Sequence, residues 1–367
     1  MKNGKTLRGT FLKNFRFFSV LILSVLCFSC TTKEEANISF EAMNTWMTIK
    51  VVGGKGTKKV TKDVEQFFKD FEAQISTTDK NSEVYILNEK SCDLSLSPSS
   101  STQICSADLT DGVFDLTSMA LKMADETDGA FNPCLYPVTK AWGFTTDSYK
   151  VLDPQEISYL LKKTDYKKVE IGDENQIAFP SGMMFDFGGI GKGYAGDRLI
   201  EYLKNKNLRY GIIDLGGNIQ TFGHKPNGSP WNIGIRNPVG EGIIAGVSIY
   251  EGAVITSGGY ERFFTADDGN KYIHIIDPKS GMPVDNGLVS VTIVCESGAY
   301  GDALSTALFV MGKEKAIEFW KSNEGEEFQF IIMSQTQADG FEITYTAGLK
   351  ENFSILLDVD KINIVEK

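Results

Sequence analysis

The sequence predicts an α+β fold, in which helices are inserted between mostly antiparallel strands. Three observations indicate this class. Helical patterns interrupt runs of strand patterns without a regular βα alternation, strands dominate from residue 210 onward, and neither a periodic repeat nor a long linker is present. With 42% hydrophobic residues in 367, the chain is long enough to bury one large core or two smaller ones.

The N-terminal half alternates predicted strands, helices and loops. Residues 39–52 favour a strand, and Val60–Ile75 favours a helix that carries Phe67, Phe68 and Phe71 on one face. Residues 94–106 are rich in serine and predict a loop or insertion. A second helix is predicted over residues 116–128, where the Asp128-Gly129 pair ends it, and two short strands are predicted within 164–184.

The C-terminal half begins at a glycine-dense turn, residues 188–193, followed by a predicted helix over 193–206. Strand patterns then cover residues 211–215, 231–235, 244–250, 272–276 and 289–294. A long helix is predicted over 302–322, and three strands over 328–333, 341–345 and 353–359 close the chain. These elements predict one domain over residues 39–367.

The first 29 residues read as a signal peptide. Five basic residues precede an apolar run over 17–28, which is too short to span a bilayer comfortably. The run ends at Cys30 and resembles a lipoprotein processing site, so we expect a lipid anchor at Cys30 on the periplasmic side of a bacterial membrane, and a polar tether over 30–38. Secretion with cleavage nearby, and no lipid, is the alternative.

Charge and cysteine content exclude several kinds of partner and metal site. Without residues 1–29 the chain keeps 32 Lys and Arg against 48 Asp and Glu, so nucleic acid is not an expected partner. The four cysteines that follow Cys30 show no CxxC spacing, which argues against a structural zinc site. Cys92 and Cys105 can form a disulfide or remain free thiols, and two histidines are too few for a three-histidine metal centre.

The run from Asp186 to Asp197 is the most informative segment. Its glycines precede a helix and can bring backbone N–H groups close to a phosphate, with Lys192 adding positive charge. Gly191 to Gly196 also satisfies GxGxxG, and Asp214 follows where a dinucleotide fold places its ribose-binding acid. A Rossmann-type NAD or flavin oxidoreductase is therefore an alternative, although no βαβ units surround the motif.

Three polar residues leave a structural and a functional interpretation open. Asp302 and Thr306 lie four residues apart, so they share one helix face; Asp302 could cap its helix or bind a cation. His274 lies in an alternating segment, where it could be structural or act as a general base.

Seven segments in collinear order resemble the ApbE family, the FAD:protein FMN transferases. In chain order they are Met43-Asn44-Thr45; Ser76-Thr77 through Ser82-Glu83 to Asn88; Gly129-Ala130-Phe131-Asn132-Pro133 through Trp142-Gly143-Phe144; Asp186 to Asp197; Thr256-Ser257-Gly258 with Tyr260-Glu261-Arg262; His274-Ile275-Ile276-Asp277-Pro278 with Gly281; and Asp302-Ala303-Leu304-Ser305-Thr306. The sequence departs from the family pattern at Asn44, Thr78, Asn132 and Gly259. The resemblance implies an ApbE-like fold, related to the T-fold.

The resemblance also implies an activity, namely Mg²⁺-dependent transfer of FMN from FAD, through a phosphoester bond, to a threonine of a target protein, with release of AMP. The implied acceptor is a subunit of a membrane electron-transport complex. A relative that only hydrolyses FAD to FMN and AMP would share the same residues. A non-catalytic flavin-binding lipoprotein is a third alternative, against which the intact Asp302 and Thr306 pair argues.

Site residues follow from the same resemblance. Asp302, Thr306 and the carbonyl of Gly189 are expected to bind Mg²⁺, and His274 and Asp302 are the expected catalytic residues. Lys192 is expected at the phosphates and Asp186 at the adenosine or flavin side. The residues expected to line the rest of the FAD site are Met43, Thr78, Ala130, Phe131, Asn132 and Ile276.

Overall fold

The computed structural model describes residues 33–91, 103–146, 148–238, 240–267, 269–323, 325, 327–336 and 340–367. The predicted signal peptide, the lipidation site Cys30 and Cys92 lie outside these residues, so the expectations attached to them stay predictions. Cys105 has no disulfide partner within the described part of the chain. None of the described helices is both long and apolar enough to cross a membrane.

The described elements are short strands interrupted by helices. The strands are β1 (Glu34–Ala42), β2 (Thr45–Gly53), β3 (Ile104–Asp108), β4 (Glu170–Ile171), β5 (Gln176–Pro180), β6 (Leu208–Leu215), β7 (Asn218–Phe222), β8 (Trp231–Arg236), β9 (Ile243–Ile249), β10 (Gly252–Gly258), β11 (Phe263–Thr265), β12 (Lys271–Ile273), β13 (Leu288–Cys295), β14 (Phe328–Gln335), β15 (Phe341–Thr346), β16 (Phe353–Ile355) and β17 (Lys361–Val365). The helices are α1 (Val60–Ile75), α2 (Glu83–Ser91), α3 (Asp111–Glu126), α4 (Tyr136–Trp142), α5 (Pro154–Leu161), α6 (Gly191–Asn205), α7 (Gly298–Met311) and α8 (Lys313–Ser322).

A nine-stranded sheet organises the molecule, in the order β1-β2-β6-β7-β10-β13-β14-β15-β17. Its strand pairs are antiparallel except for β15 and β17, which run parallel. Smaller sheets are formed by β16-β9-β8, β3-β5-β4 and β11-β12. Antiparallel strands with inserted helices confirm the predicted α+β class.

The main core lies between the helices and one face of the large sheet. Helix α1 contributes the buried residues Val64, Phe68, Phe71 and Ile75, whose spacing of three or four places them on one face, as the sequence predicts. A second core fills the space between the opposite face and the β8-β9-β16 sheet. A third, smaller core forms around Trp142, between α4, α5 and the β11-β12 hairpin.

The predicted single strand over 39–52 is wrong, because the chain reverses within it. Ala42 pairs with Thr45, so Met43 and Asn44 form a two-residue turn, and both have positive φ (51° and 57°). Two residues with positive φ give a turn whose twist matches an antiparallel hairpin. The first strand also begins at Glu34, so residues 34–38 belong to the sheet rather than to the predicted tether.

The predicted helix over 302–322 is two helices, and it begins earlier than expected. Gly312, with φ of 81°, separates α7 from α8. Helix α7 begins at Gly298, and the hydroxyl of Ser297 accepts a hydrogen bond from the N–H of Tyr300. Asp302 therefore lies inside the helix. Other boundaries also differ, because β3 occupies part of the predicted 94–106 loop and β12 ends at Ile273, before the predicted end of the 272–276 strand.

Candidate active site

The glycine-dense turn before α6 is the point where several distant segments meet. A Cβ atom placed on Gly189 would lie 3.2 Å from Cε2 of Phe131 and 3.5 Å from Oγ1 of Thr306. A Cβ atom placed on Gly191 would lie 3.0 Å from Cδ1 of Ile75 and 3.6 Å from Cε of Met43. Close approach to these side chains accounts for the glycines. The turn thus brings together the β1-β2 turn, the end of α1, the segment after α3 and helix α7.

The GxGxxG pattern has a packing role. A Cβ atom on Gly193 would lie 2.1 Å from the carbonyl oxygen of Gly298, and one on Gly196 would lie 2.2 Å from Nε2 of Gln220. All three glycines of the pattern lie within α6, which crosses α7 at these positions. The surrounding strands are antiparallel, so the dinucleotide-fold interpretation is wrong. Gly193 serves the packing of α6 on α7, where a side chain would meet backbone atoms, and Gly196 packs against the Gln220 side chain of β7.

Asp302 is buried at the contact between α6 and α7. Its side chain is 4% exposed, and its Oδ2 accepts a hydrogen bond of 2.9 Å from the backbone N–H of Gly193. The interpretation of Asp302 as a cap of its own helix is wrong, because the carboxylate reaches the first turn of the neighbouring helix. Asp197 satisfies the start of α7 instead, accepting hydrogen bonds from the N–H groups of Gly298 (2.8 Å) and Ala299 (2.9 Å).

Three hydroxyl groups lie close together beside Asp302, those of Ser305 and Thr306 on α7 and that of Ser257 on β10. The hydroxyl of Ser257 in β10 lies 2.8 Å from that of Ser305 and 3.3 Å from that of Thr306, and Ser305 donates to the carbonyl of Asp302 (2.9 Å). Ser257 and Ser305 stand in segments that the sequence comparison with the family singled out, but no role was predicted for them. The strand and helix together hold a row of oxygen atoms beside the glycine turn.

The oxygen atoms of this row fit a hard divalent cation with few carboxylate ligands. Among the described residues no three His, Cys, Asp or Glu side chains are grouped to hold a metal ion. The carboxylate of Asp302 and the hydroxyl of Thr306 stand on one helix, where Asp302 reaches the N–H of Gly193 and Thr306 lies beside Gly189, whose carbonyl is the third predicted oxygen ligand. Mg²⁺ is commonly held by one or two carboxylates together with substrate phosphates, so this donor set suits it when a phosphate substrate completes the shell.

Asp186 closes the glycine turn. Its Oδ1 accepts a hydrogen bond of 2.8 Å from the N–H of Gly188, and its own N–H donates to the carbonyl of Pro133 (2.8 Å). Burial raises the pKa of the Asp186 carboxyl, while the Gly188 hydrogen bond and the charge of Arg262 act in the opposite direction. Asp186 therefore acts as a hydrogen-bond acceptor within the glycine turn.

His274 follows β12 and lies close to two cations. Its ring Nδ1 and its backbone N–H are each 3.1 Å from the carbonyl oxygen of Arg262. Because a carbonyl only accepts, Nδ1 carries the proton and Nε2 is left as an acceptor. The residue is partly exposed, yet the pKa of His274 is lowered to about 4. Loss of solvation is the main cause, the hydrogen bond to Arg262 opposes it, and the charges of Arg262 and Lys192 add to the lowering.

The remaining residues predicted to line the FAD site have different surroundings in the structure. Met43 and Phe131 contact the glycine turn, and Ala130 is buried beside Phe131. The amide of Asn132 is engaged with backbone groups, donating to the carbonyl of Thr164 (2.9 Å) and accepting from the N–H of Cys134 (2.8 Å).

Two further predicted residues have contacts with other parts of the structure. Thr78 is exposed, and its N–H donates to the hydroxyl of Ser76 (3.2 Å). Ile276 is buried in the small core around Trp142 and forms a bridge with Pro283. The structure thus brings Met43, Phe131, Gly189, Asp302 and Thr306 to the glycine turn and the start of α6. The charge of Arg262, a residue without a predicted role, acts on both Asp186 and His274, and Lys192 acts on His274.

Comparisons with known proteins identify the family to which this chain is similar. The model of the ApbE family matches residues 43–330. The chain is 35% identical over 261 residues to an FAD:protein FMN transferase of Treponema pallidum (strain Nichols), covering 66% of this chain and 70% of the relative. It is 34% identical over 227 residues to one of Klebsiella pneumoniae (strain 342), covering 61% and 70%.

Solved structures show the same fold. The ApbE protein from Thermotoga maritima superposes with a TM-score of 0.71 at 31% identity, covering 84% of this chain and 96% of the other. The flavin transferase ApbE from Vibrio cholerae gives a TM-score of 0.74 at 24% identity, covering 88% of this chain and 100% of the other, which supports the fold alone.

Proposed function

This chain belongs to the ApbE family, and we propose that it is an FAD:protein FMN transferase that moves the FMN half of FAD onto a protein hydroxyl and releases AMP. The observation that carries the proposal is the meeting of Asp302, Thr306 and the Gly189 turn, close to the helix that carries Lys192. These groups offer oxygen ligands and positive charge, which a pyrophosphate ester requires.

The chemistry breaks one bond and forms one. The acceptor hydroxyl oxygen attacks the phosphorus of the FMN moiety, the bond from that phosphorus to the bridging oxygen breaks, and AMP leaves with the electron pair. In the proposal the hydroxyl proton passes to Nε2 of His274. His274 is neutral at pH 7 because its pKa is about 4 without substrate. A pyrophosphate bound beside it would raise that pKa, bringing the base closer to the operating pH.

We further propose that Mg²⁺ binds the carboxylate of Asp302, the hydroxyl of Thr306 and the carbonyl of Gly189. The buried single carboxylate with neutral oxygen neighbours supports this site. When bound there, Mg²⁺ would neutralise charge on the phosphate oxygens of FAD. The chain's own groups orient the substrate, since the turn fixes Gly189 against both Phe131 and Thr306.

The acceptor and the location are proposed from sequence alone. We propose a threonine acceptor in a subunit of a membrane electron-transport complex, and lipid anchoring of the enzyme at Cys30 on the periplasmic side of the membrane. An apolar run followed by cysteine supports the anchor. An enzyme held at the membrane surface would meet such an acceptor without diffusing through the whole compartment.

Mass spectrometry tests this function. A threonine-containing acceptor is incubated with the protein, FAD and Mg²⁺, and the acceptor mass and AMP release are followed. We expect the acceptor to gain FMN less one water, in step with AMP. Free FMN and AMP in equal amounts, with an unmodified acceptor, would identify an FAD pyrophosphatase instead. No AMP from a protein that binds FAD would identify a non-catalytic flavin carrier.

A further inference from the structure

Arg262 occupies an unusual position beside His274. It immediately precedes β11, and its single carbonyl oxygen accepts both the backbone N–H and the ring Nδ1–H of His274, each at 3.1 Å. The side chain of Arg262 is exposed. The main chain of this residue therefore orients the histidine, while the guanidinium is free to act on something else.

The positive charge of the Arg262 guanidinium affects two titratable groups of the candidate site. Its positive charge lowers the pKa of Asp186 in the glycine turn and also that of His274. Lys192, in the first turn of α6, acts on His274 from another element. Within the described ranges neither Arg262 nor Lys192 forms a salt bridge. These are the charged groups that act on His274, and both are cations.

Among the described residues Arg262 and Lys192 form no salt bridge, although the charge of Arg262 also acts on the Asp186 carboxyl, and two cations beside a neutral base favour the binding of an anion. A polyanion that enters offsets the positive potential of the two cations and favours the protonated form of His274. The whole sequence has a formal net charge of −11, so a local cluster of positive charge departs from the general balance. A guanidinium presents parallel N–H donors that match two oxygens of one phosphate, whereas an ammonium acts as a point charge.

We propose that Arg262 is a phosphate-binding residue that, with Lys192, holds the pyrophosphate of the substrate next to Nε2 of His274. The inference rests on the proposed function for the identity of the anion. The guanidinium spans two phosphate oxygens and aligns the phosphorus with the acceptor hydroxyl. As the bond to the bridging oxygen breaks, the two cations stabilise the negative charge that gathers on the departing AMP.

Side-chain variants isolate this role, because the Arg262 carbonyl remains in every one of them. Arg262→Gln removes the charge, and Arg262→Lys keeps the charge but not the fork of donors. Lys271→Gln is the matched control, since Lys271 lies on the same hairpin and its Nζ sits 3.8 Å from the centre of the Phe263 ring. Each glutamine variant changes the net charge by the same amount.

Binding of FAD and of riboflavin, measured by calorimetry, gives a readout that does not depend on turnover. We expect Arg262→Gln to weaken FAD binding by about 10- to 100-fold, the effect of losing a hydrogen bond to a charged group, with no change for riboflavin, which lacks phosphate. Arg262→Lys should recover part of the loss, and Lys271→Gln should bind as the parent does. Unchanged FAD binding in Arg262→Gln overturns the proposal.

Steady-state kinetics distinguish whether Arg262 binds the pyrophosphate of FAD or a group of the acceptor protein. A rise in KM for FAD, with unchanged KM for the acceptor, supports the proposal. A rise in KM for the acceptor alone would mean that Arg262 binds an acidic group of the acceptor, and it overturns the proposal. Absence of AMP release by the parent protein would count against the proposed function, while the FAD-binding comparison would still decide the role of Arg262.

The effect of the Arg262 charge on His274 is measured by titrating the histidine ring. The chain has only two histidines, so proton NMR resolves their ring titrations, and a His224→Gln variant assigns them. In the protein without FAD we expect the pKa of His274 to rise in Arg262→Gln and to stay in place in Lys271→Gln. An unchanged His274 titration in Arg262→Gln would show that the guanidinium points away from the site, contrary to the proposal.

Discussion

Replacing Asp302 by asparagine tests the proposed metal site while leaving the fold in place. The amide oxygen of asparagine can accept the hydrogen bond from the N–H of Gly193, which the Oδ2 atom of Asp302 accepts at 2.9 Å. The start of α7 is unaffected, because Ser297 and Asp197 satisfy it. A hydrogen bond to a neutral acceptor is weaker than one to a carboxylate by about 1 kcal/mol, so the loss in unfolding free energy should be about that size.

Part of that loss should be recovered, because the negative charge of Asp302 contributes to raising the pKa of Asp197. Removing one of two neighbouring carboxylate charges relieves their repulsion. The effect on catalysis should be far larger. Asp302 is the only carboxylate in the proposed Mg²⁺ site, and losing one charge-stabilising group costs on the order of 10²–10³ in rate, or about 3–4 kcal/mol of barrier.

The assay compares AMP release from FAD at low and high Mg²⁺ with the thermal midpoint of each variant. We expect Asp302→Asn to melt close to the parent, to lose AMP release at low Mg²⁺, and to recover part of it at high Mg²⁺. Asp197→Asn is the matched control, a neighbouring carboxylate outside the proposed metal site that should keep its Mg²⁺ dependence. Near-parent AMP release at low Mg²⁺ by a folded Asp302→Asn protein would refute the proposed metal site.

Three further outcomes are expected. Cys30→Ser should abolish incorporation of labelled fatty acid and leave AMP release intact; undiminished labelling would exclude this cysteine as the anchor. Gly193→Ala should lower the free energy of unfolding by about 1–3 kcal/mol or more, and the thermal midpoint with it. The reason is that a Cβ atom there would lie 2.1 Å from the carbonyl oxygen of Gly298, which is backbone and cannot rotate away. An unchanged midpoint would mean that the two helices can move apart without cost. The pKa of His274 is lowered to about 4 from an ordinary value near 6.5, so the native state binds fewer protons than the unfolded chain between these values. The stability due to neutral His274 is complete above pH 6.5 and is lost as the pH falls towards 4. The thermal midpoint of His274→Gln should therefore fall less steeply than the parent's as the pH is lowered through this range. Midpoints that fall in parallel would contradict the lowered pKa.

Local sequence patterns were sufficient for much of the fold. Helix α1 begins and ends where the spacing of its apolar residues predicts, since one buried face is encoded within the helix itself. The family resemblance placed Asp302, Thr306 and Gly189 in one site, and the structure brings Thr306 within reach of both Gly189 and the Ser257 hydroxyl beside Asp302. The prediction of α1 succeeded because it rests on the periodicity of one short segment, whereas the roles of Asp302, Thr306 and Gly189 stay predictions.

The predicted boundaries of helices and strands were wrong where a short motif was compatible with more than one structure. Met43 and Asn44 adopt positive φ without a glycine, so the hairpin between β1 and β2 had no strong local signal. Asp302 and Thr306 share a helix face wherever the helix begins, so their spacing could not reveal that α7 starts four residues earlier, at Gly298. The glycines of the GxGxxG pattern likewise fit a phosphate loop and a helix contact equally well.

The sequence by itself determined the α+β class, the glycine turn and the residue types that a pyrophosphate site needs. Only the tertiary structure decided which partner each of them has. The carboxylate of Asp302 reaches the N–H of Gly193, 109 residues away, and the carbonyl of Arg262 fixes the His274 ring across a hairpin. Such contacts depend on how whole helices and strands pack against a shared sheet, and the periodicity of a single segment carries no information about the element that will face it.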